Sequence, residues 1–225
     1  MTAADLDGDG VFDLAVMGHD GGLLRVSSRE RGKSWDTGEI ARWSAAPADP
    51  DPGSVLLVAA DLDNNGGLDL LAVGPKGGRI WLNEGPNKFR ALPAVIAERV
   101  FAVEDLRGSG RLDLLAVDGA GKPVRLVSSS TRDYQSLAVR AENDSLFPSQ
   151  DIRISSFAIG SEAEVRGGTL IQKQIVRSPR THFGLGNRKN ALVLRMVWTS
   201  GYSRSVFEDL DAGKTIKVNQ GLRGW

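Results

Sequence analysis

The chain has 225 residues, enough for one large domain or two ordinary ones, each with a buried core. Its 28 basic residues balance its 28 acidic residues, so it carries no overall basic field to attract nucleic acid or an anionic membrane. The absence of cysteine excludes disulfide frameworks, thiolate zinc sites and thiol catalysis, and only two histidines are available as general bases. No apolar run approaches the roughly 20 residues that span a bilayer.

One pattern occurs three times in the first half of the chain, over residues 3–16, 59–73 and 103–117. The leading aspartates, Asp5, Asp61 and Asp105, are 56 and 44 residues apart, a spacing that suits a four-stranded propeller blade. Short apolar runs bounded by turn residues flank the copies, and Gly and Pro interrupt every window that could form a helix. The sequence therefore predicts an all-β fold in which residues 1–128 form about three blades of a partial β-propeller.

Each copy also has the pattern of a metal-binding loop. In the first copy, oxygen donors recur at positions 1, 3, 5, 7 and 9, supplied by the carboxylates of Asp5, Asp7, Asp9 and Asp13 and the backbone carbonyl of Val11. Gly10 permits the sharp turn that brings them together, and oxygen donors without nitrogen or sulfur favour calcium. An EF-hand shares this opening but requires a bidentate Glu at position 12, where this chain has Val16.

The second and third copies depart from this pattern by increasing amounts. The second keeps a full donor set, with the backbone carbonyl of its seventh position included: Asp61, Asp63, Asn65, Gly67 and Asp69. The third has Arg107 and Ser109 at positions 3 and 5, and the arginine is expected to pair with the remaining aspartates in place of a cation. The alternative for all three copies is a turn in which the aspartates cap backbone amides without a metal.

These loops resemble FG-GAP/VCBS repeats, the calcium-loop blades of β-propellers similar to those of integrin α-subunits. A further likeness lies after the second loop, where residues 78–85 are similar to the third strand and following turn of that family. The resemblance implies calcium as the ligand of the loops and a propeller of about seven blades. Because the first copy begins at Asp5, the remaining blades and any export signal are expected upstream.

The second half resembles the ASPIC/UnbV domain. The similarity rests on residues 182–186, with the sequence His-Phe-Gly-Leu-Gly, and on residues 158–165, 192–201 and 206–218. Thr199 stands where that family usually has Pro. Alternating apolar residues in this half predict a small antiparallel β-sandwich or barrel-like domain over residues 135–219. Gly184 and Gly186 are expected to supply backbone angles for a tight turn, and His182 a packing or hydrogen-bonding role. Blades followed by such a domain are the arrangement of the family of cartilage acidic protein and its bacterial relatives.

The sequence thus predicts a calcium-stabilised, non-enzymatic binding module of a secreted or cell-surface protein. Its partner would be a protein or carbohydrate ligand on a propeller face, with no nucleic acid and no membrane span. The alternative is a carbohydrate-active enzyme or an accessory domain of a larger secreted enzyme. Against catalysis, nearly all the paired carboxylates that such an enzyme needs lie in the predicted calcium loops.

Overall fold

The computed structural model describes residues 1–30, 32–43, 55–74, 77–142 and 157–220. In these ranges the regular structure consists of 18 β-strands and no helix, which confirms the predicted all-β class. Because the described ranges contain no helix, they contain none that is long and apolar enough to cross a membrane.

The first two sheets are four-stranded antiparallel meanders. Sheet 1 contains β1 (Thr2–Ala4), β2 (Asp13–Met17), β3 (Gly22–Arg29) and β4 (Ser34–Arg42) in that order. Sheet 2 repeats this order with β5 (Leu56–Ala60), β6 (Asp69–Gly74), β7 (Gly77–Asn83) and β8 (Phe89–Ala91). In both sheets the acidic loop connects the first strand to the second.

Sheet 3 is a shorter version of the same unit. It contains β9 (Arg99–Glu104), β10 (Asp113–Val117) and β11 (Pro123–Leu126), with β10 in the centre. The third acidic loop again connects its first two strands. The three sequence copies therefore occupy equivalent places in three equivalent sheets.

Alternate side chains of β6 pack into two different hydrophobic cores, which shows how these sheets stack. Leu70 and Ala72 belong to a core shared with sheet 1, which also contains Leu23. Leu71 and Val73 belong to a second core, shared with sheet 3. Every residue of β6 is buried because successive side chains of a strand point to opposite faces, and both faces are covered here.

Two more sheets come from the C-terminal half. Sheet 4 has the order β15-β12-β18, from β12 (Gln135–Glu142), β15 (Thr181–Gly186) and β18 (Thr215–Asn219). Sheet 5 has the order β14-β13-β16-β17, from β13 (Glu162–Gly167), β14 (Leu170–Ile175), β16 (Val193–Val197) and β17 (Ser203–Val206). Both contribute to one hydrophobic core around Phe183, Leu185, Leu194 and Met196.

The five sheets form a propeller-like arrangement, so the predicted number of about three blades has to be corrected. The described part of residues 1–128 contains three sheets, and the described part of the C-terminal half adds two of similar size. The prediction of a wholly antiparallel second half is also wrong, because β12 and β18 pair in parallel, with Val139 opposite Ile216. Alternation within a strand reports which face is buried and not the direction of the neighbouring strand.

Candidate metal centre

The first acidic loop brings three carboxylates together. One oxygen from each of Asp5, Asp7 and Asp9 lies within 4.8 Å of the others. Asp5 also caps the turn: its Oδ1 accepts hydrogen bonds from the amides of Gly8 and Asp9 at 2.9 and 3.1 Å, and its Oδ2 from that of Gly10 at 3.1 Å. The capping of backbone amides, which the sequence analysis gave as the alternative to a metal site, therefore occurs in the same loop as the three converging carboxylates.

A buried arginine lies against this first loop. Arg25 on β3 places Nη1 2.7 Å from Asp7 Oδ2 and Nε 3.9 Å from Asp13 Oδ1, with 8% of its side chain exposed. Asp13 also accepts hydrogen bonds from Ser27 Oγ at 2.6 Å and from the Leu6 amide at 3.2 Å. The guanidinium thus supplies positive charge where the sequence predicted a cation.

Val11, the other predicted ligand of this loop, donates its amide to Asp9 Oδ1 at 2.7 Å. Its side chain is exposed. This bond tightens the turn between positions 5 and 7, as an Asx turn does. Position 7 therefore lies at the turn, as the loop pattern requires.

The second loop has a more deeply buried cluster. Oxygens of Asp61, Asp63 and Asp69 lie within 4.8 Å of one another, and Asp61 and Asp69 are almost fully buried. Asp69 accepts the amides of Leu62 and Asn83, both at 2.7 Å. Asp61 Oδ2 accepts the amide of Gly66 at 2.8 Å, whereas Asp61 Oδ1 has no hydrogen-bond partner among the described residues.

The remaining predicted ligands shape the turn of this loop. Asn65 Oδ1 accepts the Gly67 amide at 2.7 Å, and Asn65 Nδ2 donates to the Asn83 carbonyl at 2.8 Å. Asp63 Oδ1 accepts the Asn65 amide at 3.1 Å, and its Oδ2 pairs with Arg132 at 3.0 Å. Arg132 is half-exposed and comes from the segment before β12, so this pair is weaker than the buried one at Arg25.

The third loop has two arginines at its last aspartate. Arg107 Nη2 lies 3.2 Å from Asp113 Oδ1, which confirms the predicted pairing of this arginine with a remaining aspartate. Arg125 Nε lies 3.9 Å from Asp113 Oδ2. Asp105 caps the turn through the amides of Ser109 and Gly110.

Register shows that Arg25 and Arg125 are equivalent. Arg25 lies opposite Ala15 in sheet 1, and Arg125 lies opposite Leu115 in sheet 3. The corresponding residue of sheet 2 is Ile80, opposite Leu71. Of the three loops, the second therefore lacks a cationic side chain at this strand position. Both arginines stand 20 residues after the leading aspartate of their copy, a regularity of the sequence from which their equivalence could have been predicted.

The electrostatics of the ion-free loops favour a bound cation. The pKa of Asp5 is raised to about 7, mainly by burial; the hydrogen bonds from the turn oppose this shift, and the carboxylates of Asp9 and Asp7 add to it. Burial likewise raises the pKa of Asp61 to about 7, with Asp63 adding to the effect. Burial and Asp61 raise the pKa of Asp69 well above its usual value. A bound cation would offset this cost of burying negative charge.

This predicts an unusual pH dependence for the ion-free protein. A carboxyl group with a raised pKa stabilises the fold below its unfolded-state pKa of 3.8, and that contribution is lost as pH rises through about 7. In chelator, we therefore expect wild type to lose more stability than Asp61→Asn between about pH 4 and pH 8, measured by urea unfolding. His182 acts oppositely in both proteins, because burial lowers its pKa to about 4, so the comparison removes its effect. Equal losses of stability in wild type and Asp61→Asn would contradict a raised pKa at Asp61.

Side chains of the C-terminal half complete the surroundings of the second loop. Gln172 of β14 is buried and donates from Nε2 to Asp61 Oδ2 at 2.9 Å and to the Gly66 carbonyl at 3.0 Å. His182 Nε2 donates to Asn64 Oδ1 at 2.7 Å, which confirms the hydrogen-bonding role predicted for this histidine. No sequence pattern connected Gln172 with Asp61, because 111 residues separate the two.

The two glycines of residues 182–186 have different roles. Gly186 has a φ of +60°, as the prediction of a turn requires. Gly184 lies in β15 and is needed for close approach instead: a Cβ there would lie 2.0 Å from Asp61 Oδ2 and 2.6 Å from Asn64 Cα. The prediction that Gly184 supplies a special backbone angle is therefore wrong, because its neighbour across space and not its own φ excludes a side chain.

The donor set of the second loop fits a hard divalent cation. All the converging donors are carboxylate oxygens, the class that calcium and magnesium prefer. The unpartnered, buried Asp61 Oδ1 is a strong acceptor that lacks a donor among the described residues. If a cation is bound, Asp61, Asp63 and Asp69 would hold it.

Comparison with known proteins supports the assignment of the second half. A family model described as ASPIC and UnbV matches residues 153–223. This stretch is ASPIC/UnbV-like. The ASPIC/UnbV segment, as we call residues 153–223, contains both Gln172 and Gly184. A search of the curated proteins found no match.

Two solved structures are similar to most of the chain. One is an Agrocybe aegerita lectin that recognises non-reducing terminal N-acetylglucosamine: it is 13% identical, with a TM-score of 0.41, over 92% of this chain and 49% of the lectin. The other is a mutant of the Photorhabdus luminescens Tc holotoxin pore: 18% identical, with a TM-score of 0.35, over 86% of this chain and 9% of that chain. The chain thus spans about half of the lectin chain, and at these TM-scores neither likeness identifies a function.

Proposed function

We propose that this chain is a calcium-stabilised, non-enzymatic binding module of a secreted or cell-surface protein, and that its second acidic loop is the principal cation site. The observation that carries the proposal is the convergence of three carboxylates around Asp61 Oδ1, a buried oxygen without a hydrogen-bond partner among the described residues. Asp7 Oδ1 and Asp113 Oδ2 of the other two loops are also buried without such a partner, but both of these aspartates pair with arginines. Such an atom costs about 1–3 kcal/mol unless a donor or a cation satisfies it.

The cationic side chains rank the three loops. The first loop already has Arg25 between Asp7 and Asp13, and the third has Arg107 and Arg125 at Asp113. A cation bound in the first or the third loop would have to displace a guanidinium or overcome its repulsion. Within the described ranges, the ion pair of the second loop is between Asp63 and the half-exposed Arg132, so Asp61 and Asp69 face no cationic partner there.

Calcium is the cation proposed because its coordination is flexible and uses carboxylate and carbonyl oxygens. Loops of extracellular modules bind it at roughly 10⁻⁴–10⁻³ M, so an exported protein would be loaded and a cytosolic one would not. The secreted or cell-surface location is proposed from the resemblance of these loops to FG-GAP/VCBS repeats, and a site of this affinity would be loaded there.

The role proposed for the ion is structural. The loops connect the first and second strands of their sheets, and their resemblance to FG-GAP/VCBS repeats supports blades that present a rigid face to a protein or carbohydrate partner. His182 does not resemble a general base in this setting, because Nε2 donates to Asn64 and burial lowers its pKa to about 4. It holds a turn beside the second loop.

A calorimetric titration with calcium tests the proposal through the number of ions bound. We expect one principal site in wild type, because Arg25 occupies the first loop. Arg25→Met keeps most of the aliphatic stem but removes the charge beside Asp7, so a second ion should then bind. The matched change Arg125→Met should add none, because Arg107 still pairs with Asp113. Absence of binding by wild type at millimolar calcium would overturn the proposal.

A further inference from the structure

We propose that the ASPIC/UnbV segment forms part of the second cation site, with Gln172 as a positioning residue. Binding of a cation by the loop and docking of β14 and β15 onto the blades would then be coupled. The inference rests on the proposed function, since it requires an ion at Asp61.

The first step of the argument is the orientation of the Gln172 amide. Nε2 donates to Asp61 Oδ2 at 2.9 Å and to the Gly66 carbonyl at 3.0 Å, which uses both of its hydrogens. Oε1 accepts from Gln174 Nε2 at 3.0 Å, and that nitrogen also donates to the His182 carbonyl at 2.7 Å. The amide is therefore fixed at both ends and holds one oxygen of Asp61, so that the other oxygen, Oδ1, is left to the ion.

The second step is the backbone of the loop itself. The Gly186 amide donates to the Asn64 carbonyl at 2.8 Å, and His182 Nε2 donates to Asn64 Oδ1 at 2.7 Å. Asn64 has a φ of +64° and donates from Nδ2 to the Gly110 carbonyl of the third loop at 2.7 Å. β15 thus holds the loop between Asp63 and Asn65 in a conformation that L-residues seldom adopt.

Coupling follows from these two sets of contacts. A loop that closes around an ion must keep Asp61 and Asn64 where β14 and β15 hold them. A docked segment lowers the entropy that the loop loses on binding, and a bound ion fixes the surface on which the segment docks. By linkage, if docking of the segment increases the affinity for the cation by some factor, the bound cation increases the equilibrium constant for docking by the same factor.

Calcium titration of Gln172→Leu measures the effect on affinity. Leucine has a similar volume but cannot donate to Asp61, and we expect the calcium Kd to rise about 10-fold or more, the usual cost of losing a residue that orients a metal ligand. The matched variant Gln220→Leu, whose amide contacts Ser200 and no acidic loop, should bind calcium as wild type does. If Gln172→Leu also binds as wild type does, the inference is overturned while the proposed function stands.

Hydrogen exchange in wild type tests the coupling without any substitution. Calcium should slow amide exchange in Leu170–Ile175 and Thr181–Gly186 as well as in the second loop. Protection confined to the loop would overturn the inference and leave the proposed function intact. If wild type binds no calcium in the titration, both fail together, so the two failures can be distinguished.

Discussion

Gly184→Ala is expected to destabilise the folded protein by about 3 kcal/mol or more. The new Cβ would lie 2.0 Å from Asp61 Oδ2 and 2.6 Å from Asn64 Cα, well inside van der Waals contact. Asp61 is fixed by the Gly66 amide and by Gln172, so neither it nor the backbone of Asn64 can move away at low cost. Denaturant unfolding in calcium-containing buffer measures the loss.

Gly167→Ala provides the matched control for this substitution. Gly167 also lies in a C-terminal strand without a positive φ, but its nearest neighbour would be 3.5 Å from the new Cβ, an ordinary contact. Its free energy of unfolding should stay within about 1 kcal/mol of wild type. Equal losses for the two variants would show that β15 does not press on the second loop as described.

Calcium is expected to raise the melting temperature of the wild-type protein by roughly 5–10 °C. A site with a Kd of about 10⁻⁴ M stabilises the fold by about 2.7 kcal/mol at a hundredfold excess of free ion. For a chain of this size, each kcal/mol corresponds to about 2–4 °C. Thermal unfolding followed by circular dichroism, in calcium and in chelator, measures the shift.

Asp61→Asn should abolish most of this response and still fold. Asparagine keeps the shape of the side chain, and the loss of charge is tolerated in the ion-free loop because burial already raises the pKa of Asp61 to about 7. Asp105→Asn makes the same change in the third loop, where Arg107 and Arg125 face Asp113, and it should leave the calcium response intact. An undiminished response in Asp61→Asn would place the ion elsewhere.

Local structure could be predicted from the amino-acid sequence without any other information. Short apolar runs and alternating residues predicted the all-β class, and the spacing of Asp5, Asp61 and Asp105 placed equivalent loops in equivalent sheets. The loops were recognisable because an aspartate that caps amides three to five residues ahead is a short-range feature. The pairing of Arg107 was predictable for the same reason, since only six residues separate it from Asp113.

Strand register within sheets and packing between sheets, in contrast, determine which side chains surround each loop. Register across β2 and β3 brings Arg25 onto Asp7, and the crossover that pairs β12 with β18 in parallel leaves no trace in an alternating pattern. Gln172 reaches Asp61 across 111 residues, and Gly184 is a glycine because of an aspartate in the loop of another sheet. These features depend on strand register and on how separate sheets pack, and the residue types of one segment carry no record of which distant segment will cover them.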